Sequence, residues 1–167
     1  MKPALAILIA ILVLVGILFF RTRRKPDGPT SAPDFKTTEE LITYLAEEAR
    51  DIAKKSYGIE LDYSVESIKR AEEALGKLHE EYVKTKPTSG VQGLASAFGA
   101  YVGEAIRRND PGASWSKDHP VGGPKSYPLK WSGGDSFPMA WCHKRIVNGP
   151  EDNVWHKYSV LKDRKDH

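Results

Sequence analysis

The chain has a single cysteine among its 167 residues, and this excludes several kinds of stabilising site. Cys142 has no second cysteine with which to form an internal disulfide, so the fold must be held by its core. A chain without disulfides agrees with a reducing compartment. The ligand spacings of common metal sites, CxxC, HxxxH and HExxH, are also missing. We therefore predict no disulfide, no bound metal and no cofactor.

The body of the chain also lacks an excess of charge of one sign. The formal net charge of +3 arises near the N-terminus, because residues 1–25 hold five Lys and Arg and no acid. Residues 26–167 hold the other 20 Lys and Arg against 22 Asp and Glu. Nucleic-acid-binding domains usually carry a concentrated basic surface. We therefore predict that nucleic acid is not a partner.

Long apolar runs are absent from the sequence except at the N-terminus. Residues 3–20 contain no charged side chain, and as a helix they would extend about 27 Å, close to the thickness of a bilayer's hydrocarbon core. A cleaved signal peptide has a shorter apolar region and ends in small residues, whereas this run ends in two phenylalanines. Four cations follow at once: Arg21, Arg23, Arg24 and Lys25. We predict a transmembrane anchor over residues 1–25 that ends in a basic stop-transfer cluster.

The cations around this run also predict its orientation and the organisation of the rest. The C-terminal flank has four Lys and Arg against Lys2 on the other side, so residues 26–167 are expected in the cytoplasm. Residues 26–36 are rich in Pro, Gly and small polar residues and are predicted to be a linker. Residues 37–162 are long enough for a single domain with its own core. Residues 163–167 are expected to be a frayed tail.

Hydrophobic periodicity predicts an α+β fold, in which helices pack with a small antiparallel sheet. Helices are expected over residues 37–57, 65–82, 91–108 and 138–147, and from residue 151 onward. The first of them has an apolar stripe made of Leu41, Leu45, Ala49, Ile52 and Ala53. Strands are expected over 113–116 and 127–131, and a turn at Gly133-Gly134-Asp135. The third helix has two interior glycines, Gly99 and Gly103, and each costs about 1 kcal/mol relative to alanine. We expect another element to approach them closely, which would put this helix at the centre of the domain.

Glu104 is the most interesting titratable residue because it lies on the border of that helix's apolar arc. A half-buried carboxylate can act as a base or anchor a ligand. It can equally pair with Arg108 one turn later, in the favourable order of acid before base. The ion pair is the interpretation that we favour.

Histidine and cysteine offer weaker candidates. Cys142 and His143 are adjacent, and adjacent helical residues point about 100° apart, so they do not make a nucleophile–base pair. Cys142 is instead expected in the core, with His143 as a possible acid or base. His79, His119 and His156 are scattered, and the Asp118-His119 step is expected in a solvated loop.

The four tryptophans all lie in the C-terminal third of the chain: Trp115, Trp131, Trp141 and Trp155. They are expected to fill the core between sheet and helices, and a ligand groove lined by two of them is the alternative. Trp115 and Trp131, with Glu104 and His143, make up the candidate functional surface.

Three segments resemble a family of small bacterial domains that has no assigned activity. They are the Gly-Ala-Tyr-Val-Gly-Glu-Ala-Ile stretch at 99–106, the Gly112 and Trp115 positions, and the Lys-Arg-Ile-Val-Asn-Gly-Pro-Glu-Asp-Asn stretch at 144–153. The resemblance covers about residues 60–161. It implies a bacterial source and an α+β fold, with Gly103 and Glu104 as a structural signature, and it brings no catalytic residue.

These observations favour a single-pass membrane protein whose cytoplasmic domain binds a protein partner. No glycine-rich phosphate loop, nucleophile elbow or carboxylate pair is present, so an enzyme is the less favoured class. Two alternatives stay open. One is a membrane-tethered hydrolase that uses Glu104 or His143, and the other is a structural component of an envelope assembly. The sequence does not predict the oligomeric state.

Overall fold

The structure, a computed structural model, describes residues 34–163 and has an α+β fold, as predicted. In this range the elements are α1 (Thr38–Tyr57), α2 (Val65–Thr85), α3 (Val91–Asn109), β1 (Ser114–Trp115), β2 (Leu129–Trp131), β3 (Gly134–Ser136), α4 (Pro138–Asn148), a 3₁₀ turn (Pro150–Asp152) and α5 (Val154–Asp163). The predicted anchor, its cations and linker residues 26–33 lie outside the described residues. Between residues 34 and 163, no helix is long and apolar enough to cross a membrane.

Local signals explain where α1 begins and ends. The Thr37 hydroxyl accepts a hydrogen bond from the Glu40 amide at 3.1 Å, as its cap position predicts. The Glu40 carboxylate, however, accepts from the Lys36 amide at 2.8 Å and so completes the cap one residue earlier than expected. Gly58 ends the helix with a φ of +68°, a left-handed conformation that glycine adopts without a steric penalty.

The buried face of α1 differs from the predicted stripe. The buried residues are Ile42, Ala46, Ala49 and Ala53, whereas Leu41, Leu45 and Ile52 are only half-buried at its edge. The prediction was right for Ala49 and Ala53, and it was wrong for the three larger residues because it followed the largest apolar side chains. Three alanines in one row let α1 lie close against α3, and Leu45 and Ile52 pack at the edge of the core.

Helix α3 forms the centre of the fold, as predicted. Residues 97–106 are all buried, and the helix packs against α1 on one side and α4 on another. A Cβ atom on Gly99 would overlap the backbone of Met139, and one on Gly103 would overlap the Trp115 indole. The two glycines therefore permit the close approach that their spacing predicted.

The sheet has three antiparallel strands in the order β1-β2-β3. Trp115 lies opposite Leu129, and Leu129 lies opposite Ser136, so one face of the sheet is buried. The predicted turn at residues 133–135 was wrong, because Gly134 and Asp135 belong to β3 and only residues 132–133 connect it to β2. A Gly-Asp-Ser strand has no apolar alternation by which it could be recognised.

The C-terminal part begins with Pro138 at the start of α4, where its missing amide costs no hydrogen bond. The prediction that Glu151 and Asp152 begin the last helix was wrong. Both belong to the 3₁₀ turn, and α5 begins after Asn153, whose side-chain oxygen accepts from the His156 amide at 2.7 Å.

Candidate functional site

Glu104 and Trp115 meet at the surface of α3, so the structure brings two of the four candidate residues together. The Trp115 indole lies over Gly103 and donates its Nε1–H to Glu104 Oε1 at 3.0 Å. Arg107 binds both carboxylate oxygens, with Nε 2.7 Å from Oε1 and Nη2 3.0 Å from Oε2. Arg108 is a more distant partner at 3.4 Å. The ion pair was predicted, but its main cation is Arg107 at i+3 because the bidentate geometry is reached there.

The electrostatic state of Glu104 follows from these contacts. Burial raises the pKa of its carboxyl, and the hydrogen bonds from Arg107 and Trp115 oppose this and leave the pKa below its ordinary value of 4.5. The group therefore stays ionised at neutral pH, and its oxygens are already engaged by protein donors. This arrangement fixes Trp115 and the C-terminal end of α3 in place.

Tyr63 forms a second polar cluster beside this one. Its φ of +63° is unusual for a non-glycine residue and is held by contacts on several sides. Its amide donates to the Tyr101 hydroxyl at 3.0 Å, and its own hydroxyl donates to Glu47 at 2.8 Å. The Arg108 guanidinium lies 3.5 Å from the centre of its ring. The cluster ties the link between α1 and α2 to the end of α3.

Trp131 and His143 lie apart from Glu104. Trp131 donates its Nε1–H to the Ser136 hydroxyl at 2.9 Å and stacks on Tyr158 of α5, with ring centres 5.5 Å apart. His143 is half-buried on α4, and no hydrogen bond, ion pair or ring contact in the described part of the chain joins it to Glu104. The four candidates therefore do not form one acid–base site.

Cys142 lies in the core, fully buried, as predicted. Burial raises the pKa of its thiol, which keeps the sulfur protonated and unreactive at neutral pH. Over residues 34–163, no three His, Cys, Asp or Glu side chains come together as a metal site requires.

Of the tryptophans, Trp115 and Trp131 are buried as predicted, whereas Trp141 and Trp155 are only half-buried. Trp141 lines an open groove of about 300 Å³ between α4 and α5. The other lining residues are His156, Lys157, Val160 and Leu161. We call these five residues the α4–α5 groove. Sequence reasoning did not find it, because its residues come from two helices and only Val160 is an exposed large aliphatic there.

The Asp118-His119 step lies in a loop, as predicted, but this loop is highly structured. His119 pairs with Asp135 of β3, with Nε2 3.4 Å from Oδ2, and the neighbouring Asp118 instead accepts from the Lys125 amide at 2.8 Å. No sequence spacing indicates the pairing of His119 with Asp135.

Compared with known proteins, this chain matches no protein-family profile, no curated protein and no solved structure.

Proposed function

We propose that this chain is a single-pass membrane protein whose domain faces the cytoplasm and binds a protein partner through the α4–α5 groove. The observation that carries the proposal is the groove itself. It is a shallow, open depression that combines a tryptophan, two aliphatic side chains, a histidine and a lysine. Aromatic and aliphatic anchors at the centre of a surface depression are typical of protein-binding hot spots.

Helix α5, which carries four of the five groove residues, is joined to the sheet by aromatic rings. Trp155 contacts Tyr158 with ring centres 5.7 Å apart, and Tyr158 stacks on Trp131 of the sheet. Lys157 is held by an ion pair with Asp152. A lysine that is already held in place loses less conformational entropy on binding, which favours recognition of a partner.

The membrane part of the proposal rests on the sequence of residues 1–25. An uncharged stretch of 18 residues followed by four cations in five positions is the pattern of a span with a cytoplasmic C-terminal flank. The 13 residues between position 20 and position 34 would allow an end-to-end distance of roughly 20 Å if flexible.

Photo-crosslinking in native membranes tests the binding surface. A benzophenone amino acid replaces Val160 of the groove, and in a matched control it replaces Val83 of α2, since the two valines are 41% and 48% exposed. We expect one discrete protein adduct from position 160 that disappears when Trp141→Ala is added, and none from position 83. The same adducts from both positions, or adducts with lipid alone from position 160, would contradict the proposal.

Washing the membranes at alkaline pH tests the anchor separately. The full chain should stay in the pellet. In a second test, protease added outside the membrane should digest residues 34–163 only after the membrane has been permeabilised. Recovery of the intact chain in the wash, or digestion of its domain from the outer side, would disprove the anchor or its orientation.

A further inference from the structure

We propose that His119 is a pH-sensitive latch that holds the tip of the β1–β2 loop, residues 117–127, against Phe137. The loop contains two prolines and two glycines, yet it is closed by hydrogen bonds along its whole length. His119 and Gly123 exchange two backbone hydrogen bonds, of 3.1 and 2.8 Å. At the base, the Tyr127 amide donates to the Lys117 carbonyl at 3.1 Å. The Ser126 hydroxyl donates to the Gly123 carbonyl at 2.8 Å, and the histidine ring binds the two tip residues before Gly123.

The protonation state of the ring follows from its hydrogen bonds. His119 Nδ1 lies 3.1 Å from the backbone nitrogens of both Val121 and Gly122. Both of these groups can only donate, so Nδ1 must be an unprotonated acceptor. The proton of the neutral ring is therefore on Nε2, which faces Asp135 Oδ2 at 3.4 Å. The closed loop thus requires a neutral imidazole.

A second proton on the ring would remove this acceptor. Nδ1–H would then point at two N–H groups, and both would lose their hydrogen bonds. Histidine is the side chain that normally changes charge between pH 5 and 8. The second proton would therefore break the tie to the tip, while Nε2 would still face the Asp135 carboxylate of β3.

The surroundings of the ring contain few other charges that could change this outcome. Asp118, the preceding residue in the chain, already accepts a hydrogen bond from the Lys125 amide. The uncharged Phe137 ring meets the imidazole edge to face, with ring centres 5.0 Å apart. Lys117 and Lys125 are exposed on the same loop. Among the groups in contact with the ring, Asp135 is thus the charged one.

The latch controls a small apolar surface. A Cβ atom on Gly122 would meet the Phe137 ring at 2.7 Å, so the tip packs tightly on that ring. Next to it, Val121 is 91% exposed. Release of the tip would expose more of the half-buried Phe137 ring, immediately before α4, beside a valine that is already in solvent. Acidification would therefore enlarge an apolar patch at the start of α4.

Nitrogen NMR of the full chain in detergent micelles tests the latch between pH 8 and pH 5. At pH 8 the ring signals of His119 should show an unprotonated Nδ1, and the Val121 and Gly122 amides should be protected from exchange. Through the ring titration, their protection factors, corrected for the intrinsic pH dependence, should fall about tenfold or more.

Three variants sharpen the test. His119→Asn keeps a side-chain acceptor without a titratable ring, so protection should no longer depend on pH. Asp135→Asn leaves the Nδ1 acceptor in place, so the Val121 and Gly122 amides should keep their protection at pH 8. His143→Asn is the matched control and should change nothing. The proposal is overturned if Nδ1 is protonated at pH 8, if the ring stays neutral down to pH 5, or if it titrates while both amides keep their protection.

Discussion

Glu72 and Arg145 form a buried ion pair that joins three helices, and breaking it should destabilise the domain strongly. Arg145 of α4 donates Nε–H to Glu72 Oε1 of α2 at 2.5 Å, and the Val154 amide of α5 donates to Oε2 at 2.8 Å. Both side chains are at least nine-tenths buried. Arg145 Nη1 is buried as well and has no hydrogen-bond partner within residues 34–163. Both carboxylate oxygens of Glu72 are therefore hydrogen-bonded, whereas the Arg145 guanidinium has one buried nitrogen whose hydrogen bonds are not made.

This geometry sets the expected magnitudes. Arg145→Met leaves a buried carboxylate that is bound by one amide only, which should cost about 3–5 kcal/mol of unfolding free energy. For a domain of this size, this corresponds to a fall in Tm of roughly 10–20 °C. Glu72→Gln leaves the guanidinium uncompensated and should cost a similar amount. The double variant should cost much less than the sum, because it removes both charges while the glutamine oxygen still accepts from Val154.

Urea unfolding of the full chain in detergent, followed by circular dichroism, measures these costs. The matched control is Lys54→Met, which breaks an exposed ion pair with Glu60 whose atoms are 2.8 Å apart. That variant should lose less than about 1 kcal/mol. If Arg145→Met costs no more than Lys54→Met, or if the double variant equals the sum of the single variants, the buried pair does not couple the helices and the reasoning fails.

Two further predictions concern α3. Gly103→Ala should lower the unfolding free energy by about 1–3 kcal/mol because the new methyl group overlaps the Trp115 indole. Gly93→Ala on the same helix faces open space and should raise it by up to about 1 kcal/mol. Thermal unfolding of both variants checks this, and equal effects would contradict it. The lowered pKa of Glu104 contributes stability that is present above pH 4.5 and is lost as the pH falls through the pKa of the folded state. Glu104→Gln should therefore make the stability of the domain depend less on pH in the acid range. Unfolding measurements from pH 6 to pH 3 test this, and an unchanged pH dependence would disprove it.

Much of the secondary structure could be predicted because its causes are local. The Thr37 cap, the left-handed Gly58 and the Pro138 start each depend on a few neighbouring residues. Strand β3 was missed because Gly134-Asp135-Ser136 becomes a strand only through its pairing with β2. The stripe of α1 was displaced because the partner helix selects small side chains for close contact.

The site residues show a similar division. The sequence indicated that Glu104 would be ionised in a pair, but it did not show that Arg107 reaches both carboxylate oxygens or that the Trp115 indole binds the same carboxylate. The pairing of His119 with Asp135, rather than with its neighbour, needs the return of the chain through β2 and β3. All four tryptophans were expected to fill the core between sheet and helices. Only the packing of α4 on α5 shows that Trp141 lies at the surface groove instead.

The sequence by itself therefore determined the helices, the burial of Cys142 and the need for close contact at Gly99 and Gly103. Periodicity, capping and glycine spacing act within one or two helical turns, where neighbours along the chain are also neighbours in space. Only the tertiary structure decided which charges meet and where apolar surface stays open. Glu72 and Arg145 are 73 positions apart, and no pattern along the chain marks them as partners. Their contact arises because α2 and α4 pack together and leave each buried charge with the other as its nearest compensation.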